Sequence, residues 1–206
     1  MSLTSAAFAV FLSIPIGIIS AIKQNTWIDN LLMVLALIGV AMPAFWQGLM
    51  TIILFSVKLG WFPSYGFTTP AHWFMPVLTI GTGAMASLVR ITRSSMLEVM
   101  NQDYIILARS KGTPYKKVVI KHALKNAMLP VVTYAGPMFA FMLTGSFVIE
   151  SVFSIPGIGS AFVSCITTRD YPIIMGLTIF LGFLVITFNL ITDILSAIID
   201  PRIKLD

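Results

Sequence analysis

Residues 90–126 read RITRSSMLEVMNQDYIILARSKGTPYKKVVIKHALKN, the one long polar segment in a chain otherwise built of apolar runs. It holds eight of the thirteen Lys and Arg residues against two acids, Glu98 and Asp103, so its local charge of +6 exceeds the +5 of the whole chain. Basic residues gathered between apolar runs mark a cytoplasmic loop of a membrane protein. The segment is also punctuated. Asp103 is placed to cap a short helix through Lys111, with Arg109 and Lys111 in its last turn and Gly112 just past its end. Thr113 and Pro114 supply a second N-cap and a first-turn proline, opening another helix through Lys125. On that helix Lys117, Lys121 and Lys125 form a basic stripe, with Tyr115, Val118 and Val119 largely off it. The expectation is an elbow of two helices meeting at Gly112, with one face to dock.

Working outward, 206 residues with 57% hydrophobic and only 10% charged side chains lack the polar surface of a soluble domain. Mean hydropathy is +0.93, and the chain reads as an integral membrane protein. Because the basic residues gather in one loop, they argue for membrane orientation and against nucleic-acid binding. The single cysteine, Cys165, excludes an internal disulfide and a thiolate zinc cluster, and reads as a small packing residue.

Five apolar runs follow one another: Leu3 to Ile22, Asn30 to Val57, Trp73 to Val89 and Ala127 to Ile149, all uncharged, and Ile173 to Ile199, whose one charged residue, Asp193, lies near its inner end. A crossing needs about 20 apolar residues, so the expected fold is an all-α polytopic membrane protein with five transmembrane helices. No basic residue precedes the first run, whereas Lys23 follows it, unlike a cleavable signal peptide. The second run is longer than a straight crossing needs and holds Pro43, which predicts a kinked, tilted or partly interfacial helix. Trp61, Tyr65 and Trp73 suit an interfacial loop. The fourth run contains Pro130, Gly136, Pro137 and Gly145, either ordinary membrane-helix residues or signs of a moving, pathway-lining helix. FSIPGIGSAF, with Pro156 and Gly157, reads as an interfacial loop or one that dips back into the membrane. Asn189 and Asp193 in the last run either face a partner or a water-filled path, or are stem residues at the interface. Lys23, the eight basic residues of the elbow, Arg202 and Lys204 fall on one side, against Lys58 and Arg169 on the other. That asymmetry puts the N-terminus outside and the C-terminus in the cytoplasm.

Chemistry of its own is absent from the sequence. His72 and His122 have no ligand partners at metal spacing, and neither GxxxxGK[ST] nor GxSxG occurs. The interiors of the runs carry no charges of the kind an ion-coupled carrier uses.

DYIILARSKGTPYKKVVIKHALKNAMLPVV (residues 103–132), FVIESVFSIPGIG (147–159), RDYPII (169–174) and DPR (200–202) resemble the inner-membrane permease subunits of bacterial binding-protein-dependent ABC importers, specifically the B-type subunit of the dipeptide, oligopeptide and nickel group. The resemblance implies a single transmembrane domain over 1–206, with residues 90–126 as a coupling loop that carries the EAA motif and seats on an ATPase. It places Asp103, Tyr104, Ala108, Arg109, Gly112, Lys116 and Lys117 in that coupling element. Ala108 and Gly112 match the motif's alanine and glycine, whereas Ile106 stands at its glutamate position and Leu129-Pro130 lies further downstream than in the general consensus. Pro137, Gly145, Pro156, Gly157 and Asn189 are the candidates for the translocation path or its gate. The implied function is ATP-driven import of peptides, with nickel or glutathione as alternative substrates. The implied partners are a second homologous permease, two ATPases holding the ATP and Mg, an external binding protein and membrane lipid, with no cofactor on this chain, no enzymatic activity and no nucleic acid. Members of the group resemble a six-span design whose first helix precedes the region beginning here at Leu3, so the chain reads as lacking that span. A truncated, non-conducting subunit and an ion-coupled carrier are the competing functions.

Overall fold

Ser5, Ala9, Ser13, Gly17 and Ala21 recur every fourth residue along the first apolar run, and all are buried. Small side chains let helix backbones approach closely where lipid supplies no hydrophobic drive. Here they seat α1 (Ser2–Ile22) along α4 (Phe74–Met100), so tightly that a Cβ added at Gly17 would lie 2.8 Å from Thr92 Cγ2. The computed structural model describes residues 1–143 and 147–199. Among the described residues there are helices and loops but no strands. The chain is an all-α polytopic membrane protein.

The remaining elements are α2 (Trp27–Ala41), α3 (Ala44–Thr51), α5 (Asp103–Ser110), the short α6 (Tyr115–Lys117), α7 (Leu124–Leu143), α8 (Phe147–Phe153), α9 (Ile158–Thr168) and α10 (Tyr171–Ile199). Among the described residues Ser2–Ile22, Pro70–Met100 and Tyr171–Ile198 are long and apolar enough to cross a membrane. The α2–α3 pair makes a fourth crossing if counted as one broken span. The kink expected at Pro43 is a 105° break, and α3 continues as a π-helical turn, Ile52–Lys58. Gln47 braces it, because its Nε2 donates to Gly39 O at 2.9 Å and Met42 O at 3.0 Å, carbonyls that a proline-broken helix leaves without a donor. Its Oε1 accepts from Thr82 Oγ1 on α4 at 2.7 Å.

Two boundaries differ from the sequence reading. Helix α4 does not stop near Arg90 but runs to Met100, so residues 90–100 extend the membrane helix rather than open the loop. The second helix of the elbow does not end at Lys125. It passes through a π-helical turn, Val118–Ala123, directly into α7, because no glycine or proline intervenes before Pro130. Residues 147–149 of the fourth apolar run belong to α8.

At the elbow end of α4, Met96, Ile105, Val118, Val119, Ala123, Ala127 and Ala21 form one buried cluster. At its other end, about 40 Å away at 1.5 Å per residue, Ile52, Met75, Ile149, Phe153 and Ile155 form a second. The aromatic loop 61–73 closes over that end, with Phe62 stacked on Phe74 at 4.2 Å and Phe67 on Trp73 at 5.2 Å.

Candidate functional site: the elbow and the hairpin at the far end

Ile105 anchors the elbow. It is fully buried, while its neighbours on α5, Ile106 and Leu107, are 53% and 55% exposed. The helix is thereby held by Ile105, with Ala108 packed against the same buried cluster, and presents the opposite face. Asp103 is the first helical residue, not the cap, since Gln102 takes the extended cap conformation without a side-chain bond. The Asp103 carboxylate still sits at the positive end of the helix dipole. Likewise Pro114, rather than Thr113, occupies the cap of the second helix.

Gly112 behaves as its spacing predicts. Its φ is +76°, the Thr113 N–H donates to Ala108 O at 3.2 Å, and the Gly112 N–H donates to Arg109 O at 2.9 Å. These paired bonds are the Schellman stop, which needs a left-handed residue at that place. Two further contacts set the turn's angle: the Arg109 guanidinium lies 5.2 Å from the Tyr115 ring centroid, and Asn126 Nδ2 donates to Tyr104 Oη at 2.7 Å. Tyr104, Ile106, Leu107, Tyr115 and Ile120 are exposed, with Lys111, Lys116, Lys117, Lys121 and Lys125 around them. Exposed apolar side chains among basic ones, carried on a defined turn, are a surface that can seat another protein. The structure thus brings Asp103, Tyr104, Ala108, Arg109, Gly112, Lys116 and Lys117 together on one elbow.

The path candidates lie elsewhere and apart from one another. Pro137 is exposed on α7, beside Tyr134. Asn189 is on α10, and its Oδ1 is buried with no hydrogen-bond partner among the described residues. Gly145 lies outside the described residues, as do Arg202, Lys204 and DPR. Pro156 and Gly157 form the turn between α8 and α9, at the end of the bundle away from the elbow. That turn closes on Glu150, a side chain only 6% exposed, whose Oε2 accepts from the Ser160 N–H at 2.6 Å. Glu150 O accepts from the Ile155 N–H at 2.8 Å. Ser160 Oγ in turn accepts from the Gly157 N–H at 3.1 Å. The carboxylate caps α9 from inside the hairpin, and the glycines make room for it. A Cβ at Gly157 would lie 2.6 Å from Glu150 Oε2, and one at Gly159 2.9 Å from Phe147 N.

Sequence reasoning placed Gln47 one turn after Pro43 but missed its bracing role, and it missed the role of Glu150 and the pair Asp29–Arg93. In the sequence Arg93 counts as one of the elbow's eight basic residues, and the interiors of the apolar runs carry no charge. Instead Arg93 Nε and Nη2 donate to Asp29 Oδ1 and Oδ2 at 2.7 and 2.6 Å, and Asp29 is 1% exposed. The lone acid between the first two apolar runs was the available signal, because a carboxylate there requires a cation.

The comparisons with known proteins agree with this architecture. Residues 13–205 match the family model described as binding-protein-dependent transport system inner membrane component. The dipeptide transport system permease protein DppB of Bacillus subtilis is 42% identical over 205 residues, covering 100% of this chain and 67% of that protein. A putative peptide permease protein of Brucella suis is 45% identical, covering 96% of this chain and 65% of its own length. The oligopeptide transport system permease protein AppB of Bacillus subtilis is 44% identical, with 99% and 68% covered. The chain therefore spans about two thirds of the length of these relatives. A crystal structure of an amino acid ABC transporter with histidines shares the fold, with a TM-score of 0.62 at 17% identity over 98% of this chain and 91% of that one. Elbow, apolar helices and matched residues together mean that the chain belongs to the family of binding-protein-dependent transport system inner membrane components.

Proposed function

We propose that the chain is a permease subunit of a binding-protein-dependent ABC importer for peptides, forming part of the path across the bacterial inner membrane. The observation that carries the proposal is the elbow. A helix held by the buried Ile105 and by Ala108 offers an apolar, basic-rimmed face between α4 and α7, the form needed to receive force from a soluble motor. The relatives named as dipeptide and oligopeptide permeases support peptides as the cargo. On this reading Tyr104, Arg109, Lys116 and Lys117 contact an ATPase, while Asp103, Ala108 and Gly112 shape the elbow that presents them. A second, homologous permease completes the path, two ATPases hold the ATP and Mg, and an external binding protein delivers the peptide. Pro137, Pro156, Gly157 and Asn189 belong to the path or its gate, and the N-terminus of this chain faces outside.

The test is uptake of a radiolabelled dipeptide into vesicles holding this subunit with the neighbouring permease, ATPase and binding-protein gene products. Uptake that requires internal ATP and the binding protein is expected. Uptake driven by an ion gradient without ATP would refute the proposal, and so would assembly without any uptake.

A further inference from the structure

The Asp29–Arg93 pair takes no part in the elbow's exposed face, yet it joins the elements between that face and the broken span. Arg93 lies on α4 about two turns before the helix ends. Asp29 lies in the first turn of α2, and its carboxylate accepts both Arg93 bonds, the hydroxyl of Ser20 on α1 and the Asn25 N–H at 3.0 Å. One carboxylate thus ties three helices. Ala21, next to Ser20, belongs to the same buried cluster as Ile105 of the elbow.

A buried ion pair is poor evidence for stability, since packed apolar residues of similar volume hold helices together as well or better. What the two-pronged guanidinium–carboxylate bond adds is fixed length and direction. It prevents α2 from sliding or turning against α4. At the other end of α2, Gln47 spans the 105° break and bonds Thr82 of α4. A cavity of about 380 Å³ lies at this joint, lined by Ala36, Gly39, Met42, Gln47, Thr82 and Ala86 among others. A helix fixed at one end and jointed at the other delivers displacement to its joint.

We infer that Asp29 and Arg93, with Ser20, are positioning residues that carry movement of the elbow from α4 to α1 and to the α2–α3 joint. The inference rests on the reading of this chain as an ATP-driven importer subunit. In the free chain the pair holds α2 in register, and in the working importer it makes α1, α4 and the first half of α2 move as one body.

The experiment uses the complete importer in vesicles, with a radiolabelled dipeptide as the probe, and measures uptake per ATP hydrolysed. The double variant Asp29→Leu/Arg93→Met keeps apolar volume but removes the directed link. It is expected to insert, to retain its ATPases and to hydrolyse ATP, while uptake per ATP falls at least about fivefold, the lower range of coupling between distant sites. Uptake per ATP within about twofold of the unaltered importer, a change too small for such coupling, overturns the inference. If the double variant does not assemble, spin labels in the importer with Asp29 and Arg93 intact decide. Labels at Leu31 on α2 and Ser94 on α4, both exposed, should keep their separation between ATP-free and ATP-bound states, while labels at Leu31 and Leu54, across the joint, should change theirs. A joint that does not move, or a 31–94 separation that changes as much as the 31–54 separation, overturns it. Failure of the unaltered importer to couple ATP to uptake would instead remove the importer reading itself.

Discussion

Gly112 and Gly157 are both glycines in turns, and they are glycine for different reasons. At Gly112 nothing lies within 4 Å of an added Cβ, so the requirement is entirely its φ of +76°. A β-branched residue there pays about 1 to 2 kcal/mol of backbone strain. Gly112→Val is therefore expected to insert normally but to misdirect the second helix, with impaired ATPase co-purification or ATP hydrolysis uncoupled from uptake. Gly112→Asn, which enters the left-handed region more readily, should retain most activity, and equal loss in both variants would contradict the account. Lys117→Arg, which keeps the charge on an exposed position, should change little. At Gly157 the backbone is extended, with φ −119°, and the requirement is space for the Glu150 carboxylate. Gly157→Ala should expel that carboxylate and lower uptake about tenfold or more, the loss produced by about 1.4 kcal/mol. Glu150→Gln keeps an acceptor oxygen for the Ser160 N–H and should be milder than Glu150→Ala. If the alanine variants transport as the unaltered chain does, the hairpin does not depend on the clasp.

Among the elements, the second span shows how a proline break is made tolerable inside a membrane. Pro43 ends the hydrogen-bond ladder of α2, and the Gln47 amide replaces the donors missing at Gly39 O and Met42 O. Gln47→Leu, nearly the same size, leaves those carbonyls without that donor. A buried acceptor left unpaired costs about 1 to 3 kcal/mol, so the purified variant should unfold at lower temperature in detergent, as read by thermal shift. An unchanged midpoint would mean that lipid-facing water or backbone relaxation satisfies the break. The elbow shows the opposite economy, with α5 held through Ile105, the Schellman stop and the Tyr104–Asn126 bond while its other face stays free.

For the whole molecule, buried clusters lie at the two ends of α4, one beneath the elbow and one beneath the hairpin. The charge asymmetry of the loops predicts which end is cytoplasmic, and that prediction is open to direct test. Cysteines introduced at Tyr65, 62% exposed in the aromatic loop, and at exposed Ser110 of the elbow, in a Cys165→Ser background, place a thiol at each end. A membrane-impermeant maleimide added to intact cells should label position 65 and spare position 110 until the membrane is opened. The reverse pattern would invert the topology.

The fold class, the apolar runs, the break at Pro43 and the stop at Gly112 were legible in the sequence because each rests on local information. Hydropathy over a window, charge counted along a loop, and glycine or proline at a helix end need no knowledge of neighbours in space. Local signals also placed the elbow within the polar segment, although its ends shifted because helix propensity carried α4 on to Met100 and ran the second helix into α7. The tertiary structure decided which polar groups meet. Arg93 looked like one more free cation until packing set it against Asp29, 64 residues away. Glu150 is only one letter of FVIESVFSIPGIG until the chain folds back and sets its carboxylate against Ser160. Such pairings depend on which helix faces touch, and in an apolar bundle nearly every face is greasy enough to be buried, so only the assembled packing distinguishes them.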